Sequence, residues 1–340
     1  MSPNRYRNER NAVQRHLVPY LGRLRLHELN ANHLDRFYAD LLQGVAIGAN
    51  AEPRRPLAPA TVVQIHGVIR KALRDAVKWG HLERNVATLA EPPSNASVRA
   101  DRRRAIQVWN PEQLAQFLAA TREHWLYAMW LLAVTTGLRR GELAGTVDGA
   151  LDLDVARLVV DWQLVPEERA DEPGRTRPVH KRVMKSSGSS RTIDLDRFTV
   201  AELRRWLATR AAWQQALGPG WRGAAELPAC IEGHAGRGHD SFLFTWPDGR
   251  HLNPDWISHE FSRLCAAARV PVIRAHDVRH THASLLLASG EHLKVVQERL
   301  GWSSTAFMLD TYTHLLPGMQ AEAAERFARG LFRDSTADGA

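Results

Sequence analysis

Apolar residues recur at helical spacing through most of this chain, and the places where that spacing fails divide it. From Ala12 to about Leu42, apolar anchors alternate with short turns: AVQRHLVPYLG, a turn, then a run from Leu29 through NANHLDRFYADLL that Asn30 or Asn32 can cap. Residues 43–60 are a loop rich in Gly, Pro and Ala. At Thr61 a long amphipathic helix begins, TVVQIHGVIRKALRDAVKWGHL, with Val62, Ile65, Val68, Ile69, Leu73, Ala76 and Val77 on one face. Pro92 and Pro93, followed by SNASVRADRRRA, carry no apolar periodicity. They predict a linker over 94–108 between a helical domain of residues 1–93 and a larger domain of 109–340.

In the larger domain, Asn110-Pro111-Glu112-Gln113 predicts a helix start, with Pro at the first helical position and Gln three beyond the cap. Helical runs follow over 111–122 and 124–136. After Glu142 the period changes: 150–154, 157–164 and 191–195 predict short strands, and the polar stretch 166–190 predicts a flexible flap. Helix returns over 199–215, residues 216–240 are a glycine-rich loop, and 241–245 predict a short extended segment. From Asp255 the pattern is helical to Leu331, broken at 269–271, Gly290, Gly301 and Pro317-Gly318. The fold class expected is mainly α with a small antiparallel β-sheet.

Charge sharpens the division. The chain has a formal net charge of +8, but residues 1–104 hold 18 Lys and Arg against 9 Asp and Glu, whereas the remainder holds 27 against 28. A basic module joined to a nearly neutral one suits a clamp on a polyanion; a basic, solvated surface explains the charge equally well. Lys71, Arg74 and Lys78 fall at 3–4 residue spacing on the long helix, able either to lie along DNA phosphates or to form an ordinary solvent face. Arg102, Arg103 and Arg104 in the linker could touch the backbone of a bound duplex. The two cysteines, Cys230 and Cys265, have no metal-ligand or disulfide spacing, which makes a reducing cytoplasm the expected setting. The N-terminus lacks the apolar run of a signal peptide, and stretches such as LYAMWLLAV are too short to span a bilayer, so no membrane role is expected.

The candidate chemistry lies in scattered cationic groups and one tyrosine: Arg139 in TTGLRRGEL, Lys185 before SSGSSRTIDL, His276 and Arg279 in HDVRH, and Tyr312 in DTYTH. A tyrosine hydroxyl attacks a phosphodiester poorly unless cations surround the phosphate, so this combination points to phosphoryl transfer on DNA. His276, Arg279 and His280 share a face at the start of a helix, whose free N–H groups favour an anion; His280 reads at least as well as a structural hydrogen-bonding residue. Arg139 follows Gly137 at the end of an apolar helix, where it can project into a cleft. Glu142, one turn on, either closes the helix end with a salt bridge or holds a catalytic arginine or histidine in place. Lys185, in a Gly/Ser turn, can reach a leaving oxygen and return a proton to it. No compact Asp/Glu cluster suggests a metal-dependent nuclease.

The strings TGLRRGEL, KSSGSSRTIDL, HDVRHTHASLLLASG and VVQERLGWSSTAFMLDTYTHLLP, with HLVPYLGRLRLHELN and IRKALRDAVKWGHLERN upstream, resemble the phage-integrase or tyrosine-recombinase family from about residue 11 to 318. The resemblance implies an N-terminal core-binding domain of SAM-like helical type and a tyrosine-recombinase catalytic domain. It makes Arg139 and Arg279 the catalytic arginines, Lys185 the strand-turn lysine, His276 the histidine and Tyr312 the nucleophile. Glu142, His280 and His314 are supporting residues. Trp302 completes the implied catalytic set, standing where most relatives have the histidine of LGHSS; some members carry tryptophan there, and its indole N–H is then the polar contact left for the phosphate or the nucleophile's surroundings. The implied reaction is site-specific recombination through a 3′-phosphotyrosyl ester, without metal, ATP or other cofactor. Its implied partners are duplex attachment sites, a homotetramer on paired sites, and in some systems an accessory directionality protein. Residues 321–332, AEAAERFARGLF, could be a helix donated to a neighbour or one docked on its own domain. The chain starts too late for an arm-binding domain, and whether a first helix precedes RHLVPYLG is open. The alternative kept is a DNA-binding remnant without catalysis.

Overall fold

The structure, a computed structural model, describes residues 3–46, 54–168, 176–182, 190–223 and 241–302, with residues 324, 327 and 328. The chain divides into two compact units, Met1–Ile106 with Glu167–Arg177, and Gln107–Pro166 with Pro178–Ala340.

The first unit is helical. Helix Pro3–Ala12 runs through a π turn, Val13–Leu17, into Val18–Leu21. The sequence pattern assigned nothing to its first residues because they are almost wholly polar. Helix Ala31–Gln43 starts at Asn30, whose side chain accepts the His33 N–H at 3.1 Å, and stops at Gly44 with φ 72°. It buries Leu34, Phe37, Tyr38 and Leu41 against Val62, Ile65, Ile69 and Leu73 of helix Pro59–Lys78. Four of the seven apolar positions expected on that long face are thus fully buried. Full burial stabilises by about 1.5–3 kcal/mol per large aliphatic side chain. The segment expected to be a linker is instead helical over Asn95–Ala105, with the Ser94 hydroxyl accepting the Ser97 N–H at 3.1 Å. A good cap outweighed the lack of apolar periodicity there.

The second unit has a core in which Trp109, Phe117, Trp130 and Phe261 meet. Helix Pro111–Ala120 begins with the expected capping box, Asn110 accepting from Gln113 N–H at 2.8 Å and Gln113 from Asn110 N–H at 3.0 Å. Helix Tyr127–Thr136 is apolar on every side and accordingly buried; it ends at Gly137, φ 63°, where a Cβ would lie 2.6 Å from Leu300. Strands Leu151–Asp152, Arg157–Val160 and Arg191–Asp194 form an antiparallel sheet in that order, with Leu158 opposite Ile193 and Val160 opposite Arg191. The run expected as one strand over 157–164 breaks at Asp161, and its last residues continue as Trp162–Glu168, which pairs with Thr176–Arg182 from the stretch expected to be a flap. Helices Arg197–Leu217, Pro254–Ala267, Asp277–Ala288 and Leu293–Leu300 complete the described unit. Among the described residues no helix is long and apolar enough to cross a membrane.

Candidate active site

Helix Arg140–Gly145 sets the first arginine. Arg139 is the extended residue before it, and the Glu142 carboxylate reaches back to accept the Arg139 N–H at 2.9 Å. The helix lies flush on strand Trp162–Glu168, since a Cβ at Gly145 would stand 2.5 Å from the Gln163 backbone. Only glycine allows that approach, which brings Arg139 beside Gln163, Leu164 and Val165. These residues line an open cleft of about 560 Å³ with Arg140, Ser258, His259, Arg274 and His276. Arg140 is held by Asp255 at 3.0 Å and Ser258 at 2.8 Å.

Helix Asp277–Ala288 supplies the second set. Its buried face is unusually polar, with Asp277, Arg279, His280, Thr281, His282 and Ser284 all inside. Thr281 and Ser284 satisfy themselves on carbonyls four residues back, at 3.0 and 2.8 Å. Arg274 forks onto Asp277 with two bonds of 2.8 Å and fixes the helix start. Arg279 is 1% exposed. Its guanidinium donates to Gly137 O at 2.9 Å and to Leu300 O, and lies 5.1 Å from the centre of the Trp302 ring. Trp302 therefore offers its ring face to an arginine. His276 sits exposed at the helix start, its ring 5.2 Å from that of His280 and edge-on to it. Desolvation, then the Arg279 charge, push the His276 imidazole below its ordinary value.

Glu142, 1% exposed, stands between two guanidiniums. It accepts from Arg139 Nη1 and, in a two-armed fork, from Arg191 Nη1 at 3.1 Å and Nη2 at 2.9 Å. Burial alone would raise its carboxyl; the Arg191 hydrogen bond and charge, then Arg139, outweigh burial and hold it at about 2. Arg191 had no role in the sequence reading. Its only signal there is the alternation of RTID, which turns Arg191 inward with Ile193.

Buried histidines add an acid-sensitive element. His282 accepts from Arg299 Nε at 3.3 Å, and desolvation, then the Arg299 charge, depress it from 6.5 to about 3; His280 is pushed to about 4 by desolvation, then by His276. The unfolded chain takes up these protons first, so stability is full above the ordinary imidazole value and falls as the pH drops toward the folded one. Between neutral pH and about pH 5, His282 alone is expected to remove about 2 kcal/mol. Thermal midpoints measured across that range should fall less steeply for His282→Gln; equal slopes for the two proteins would sink the assignment.

Lys185, Tyr312, His314 and residues 321–332 lie outside the described residues. In the first unit, Lys71 pairs with Glu9 at 3.4 Å, exposed Arg74 lies 3.6 Å from Asp75, and Lys78 is exposed. Lys71 and Arg74, with Arg70, Asn85 and Thr88, line a groove of about 400 Å³. Arg102 and Arg104 are exposed on helix Asn95–Ala105; the Arg103 side chain is outside the described set. Among the described residues no group of three or more His, Cys, Asp or Glu is placed to hold a metal ion.

Residues 107–318 match the family model described as the phage integrase family. The ICEBs1 integrase of Bacillus subtilis (strain 168) is 24% identical over 333 residues, covering 95% of this chain and 77% of its own length. An integrase of Saccharopolyspora erythraea is 25% identical, with 94% and 76% covered. Among solved structures, the Tn1549 transposon integrase in complex with transposon right-end DNA superposes with a TM-score of 0.71 at 17% identity, over 96% of this chain and 95% of that one. A lambda integrase dimer bound to a core site gives 0.55 at 14% identity, over 90% of each chain.

Proposed function

The chain belongs to the phage integrase family of site-specific tyrosine recombinases, whose class of activity is DNA recombination, and from that membership we propose that it cuts and rejoins duplex attachment sites through a tyrosine ester. The phenolic oxygen of Tyr312 attacks the scissile phosphorus, and the bond to the 5′-oxygen breaks. This leaves a 3′-phosphotyrosyl ester and a 5′-hydroxyl, with the bond energy kept in the ester. Arg139 and Arg279 hold the non-bridging oxygens as charge builds. Lys185 returns a proton to the departing 5′-oxygen, and His276 can accept the tyrosine proton. The 5′-hydroxyl of a partner strand then reverses the step in a new arrangement, within a homotetramer on two paired sites. The basic first unit closes on the flanking duplex with Lys71, Arg74, Lys78 and the Arg102–Arg104 run.

The observation that carries the reading is the meeting of Arg139 and His276 in one cleft, with Arg279 anchored behind on Gly137 O, although TGLRRGEL and HDVRH are far apart in the chain. The test is a nicked duplex taken from the DNA flanking the gene, from which the cleaved fragment diffuses away. A DNA-linked band on a denaturing gel is expected. After trypsin, the DNA should be attached to residues 300–326, where Tyr312 is the sole tyrosine. Specific binding with no adduct would leave a DNA-binding protein without strand cleavage; an adduct on another peptide would displace Tyr312.

A further inference from the structure

Three consecutive carbonyls at the C-terminal end of helix Leu293–Leu300 are each held by a different guanidinium. Arg191 Nε donates to Arg299 O at 2.7 Å, Arg279 Nη2 to Leu300 O, and Arg139 Nη2 to Gly301 O at 3.3 Å. A helix C-terminus gathers unpaired carbonyls and the negative end of the dipole, so cations settle there. Two of these arginines belong to the proposed chemistry. The third does not line the cleft, and its side chain is 5% exposed.

We infer that Arg191 is a positioning residue for strand cleavage: it locks Arg139 in place through Glu142 and takes up the Glu142 charge, so that Arg139 keeps a cationic fork for the phosphate. The inference rests on the proposed strand-cleavage chemistry. The geometry is a three-way lock. Both terminal nitrogens of Arg191 fork onto Glu142, which itself grips both the N–H and the side chain of Arg139. Its Nε reaches Arg299 O, while Arg299 Nη1 returns a bond to Asp194 O at 3.0 Å, so strand Arg191–Asp194 and helix Leu293–Leu300 are laced in both directions. In sequence this strand opens six residues after Lys185, and the helix precedes Trp302 and Tyr312. The electrostatics point the same way. One carboxylate between two guanidiniums leaves a net positive charge; without Arg191, Glu142 and Arg139 form a neutral pair with weaker attraction for a phosphate oxygen.

A bond that merely braced the fold would not predict how charge changes combine. Adduct formation on the nicked duplex is measured in single turnover at saturating protein, with affinity from mobility shift, for the parent chain, Arg191→Lys, Arg191→Met and Arg191→Met/Glu142→Gln. The single Met variant should cleave roughly 10–100-fold more slowly, as expected for a displaced catalytic group, with its Kd little changed. Removing the stranded carboxylate in the double variant should restore much of that rate. Lysine keeps the buried charge but cannot bridge Glu142 and Arg299 O together, so Arg191→Lys should cleave about tenfold more slowly at unchanged Kd, and it carries the test if the Met variant does not fold. Parent-like cleavage by the single variants, or a folded double variant no faster than Arg191→Met, overturns the inference. A parent chain that forms no adduct overturns the proposed function, and this inference with it.

Discussion

Arg279→Lys protein is expected to form the covalent adduct roughly 10²–10³-fold more slowly than the parent chain, the usual consequence of losing one preorganised donor to developing charge. Arg279 is not a surface cation that a lysine could imitate. Its planar fork spans Gly137 O and Leu300 O while its face lies over Trp302, all within a 1% exposed site. A guanidinium has five N–H donors in fixed directions, so part of the fork can anchor it while another part addresses a phosphate; an ammonium on a flexible stem cannot do both. Duplex affinity should change far less than the rate, because the proposed phosphate contacts are spread over many cations of the basic unit. Single-turnover cleavage at saturating protein, beside mobility-shift affinity, separates the two effects. Cleavage within tenfold of the parent rate would remove Arg279 from the chemistry. Arg279→Ala should in addition unfold more easily, by about 1–3 kcal/mol for each carbonyl left buried without a donor.

How far the sequence foretold this arrangement depended on which forces were local. The face of helix Pro59–Lys78 was legible because burial imposes a 3.6-residue period, and the Asn110–Gln113 cap because its partners lie three residues apart. Helix Asn95–Ala105 was not, since its few apolar residues, three alanines and Val98, form no periodic face and only Ser94 announced it. Strand Thr176–Arg182, which pairs with Trp162–Glu168, hid in a polar stretch. At the candidate site, His276 and Arg279 could be read from one helix turn, and Arg139 from its place after Gly137. Arg191 could not. The partners proposed for it, Glu142 and Arg299 O, are distant in the chain, and the alternation of RTID alone does not say what an inward arginine will meet. The same holds for Arg299, which ties Asp194 O and Thr135 O and whose pKa is lowered, chiefly by burial.

Glu142→Ala is expected to destabilise the second unit by roughly 3–5 kcal/mol, because it strips the partner from a buried guanidinium instead of removing the pair together. Arg191, 5% exposed at its side chain, would keep its bond to Arg299 O and lose both arms to the carboxylate. Glu142→Gln preserves shape and one acceptor, so its loss should be smaller and its pH dependence is the sharper test. In the native chain the carboxyl is held at about 2 against an ordinary 4.5, a depressed value. The unfolded chain therefore protonates first. The stabilisation is complete above about pH 4.5, and about 3 kcal/mol of it is lost as the pH falls through the window down to about 2. That window lies below most of the range in which His280 and His282 act, so the two limbs can be told apart. Urea midpoints for the parent chain should bend downward again below about pH 4.5, and the Gln variant should show a shallower second bend while keeping the first, because Asp196, Asp248 and Glu260 are also lowered and still contribute. Identical curves for the two proteins would mean that Glu142 is not ionised and clasped between Arg139 and Arg191, and the support assigned to Arg139 would fall with it.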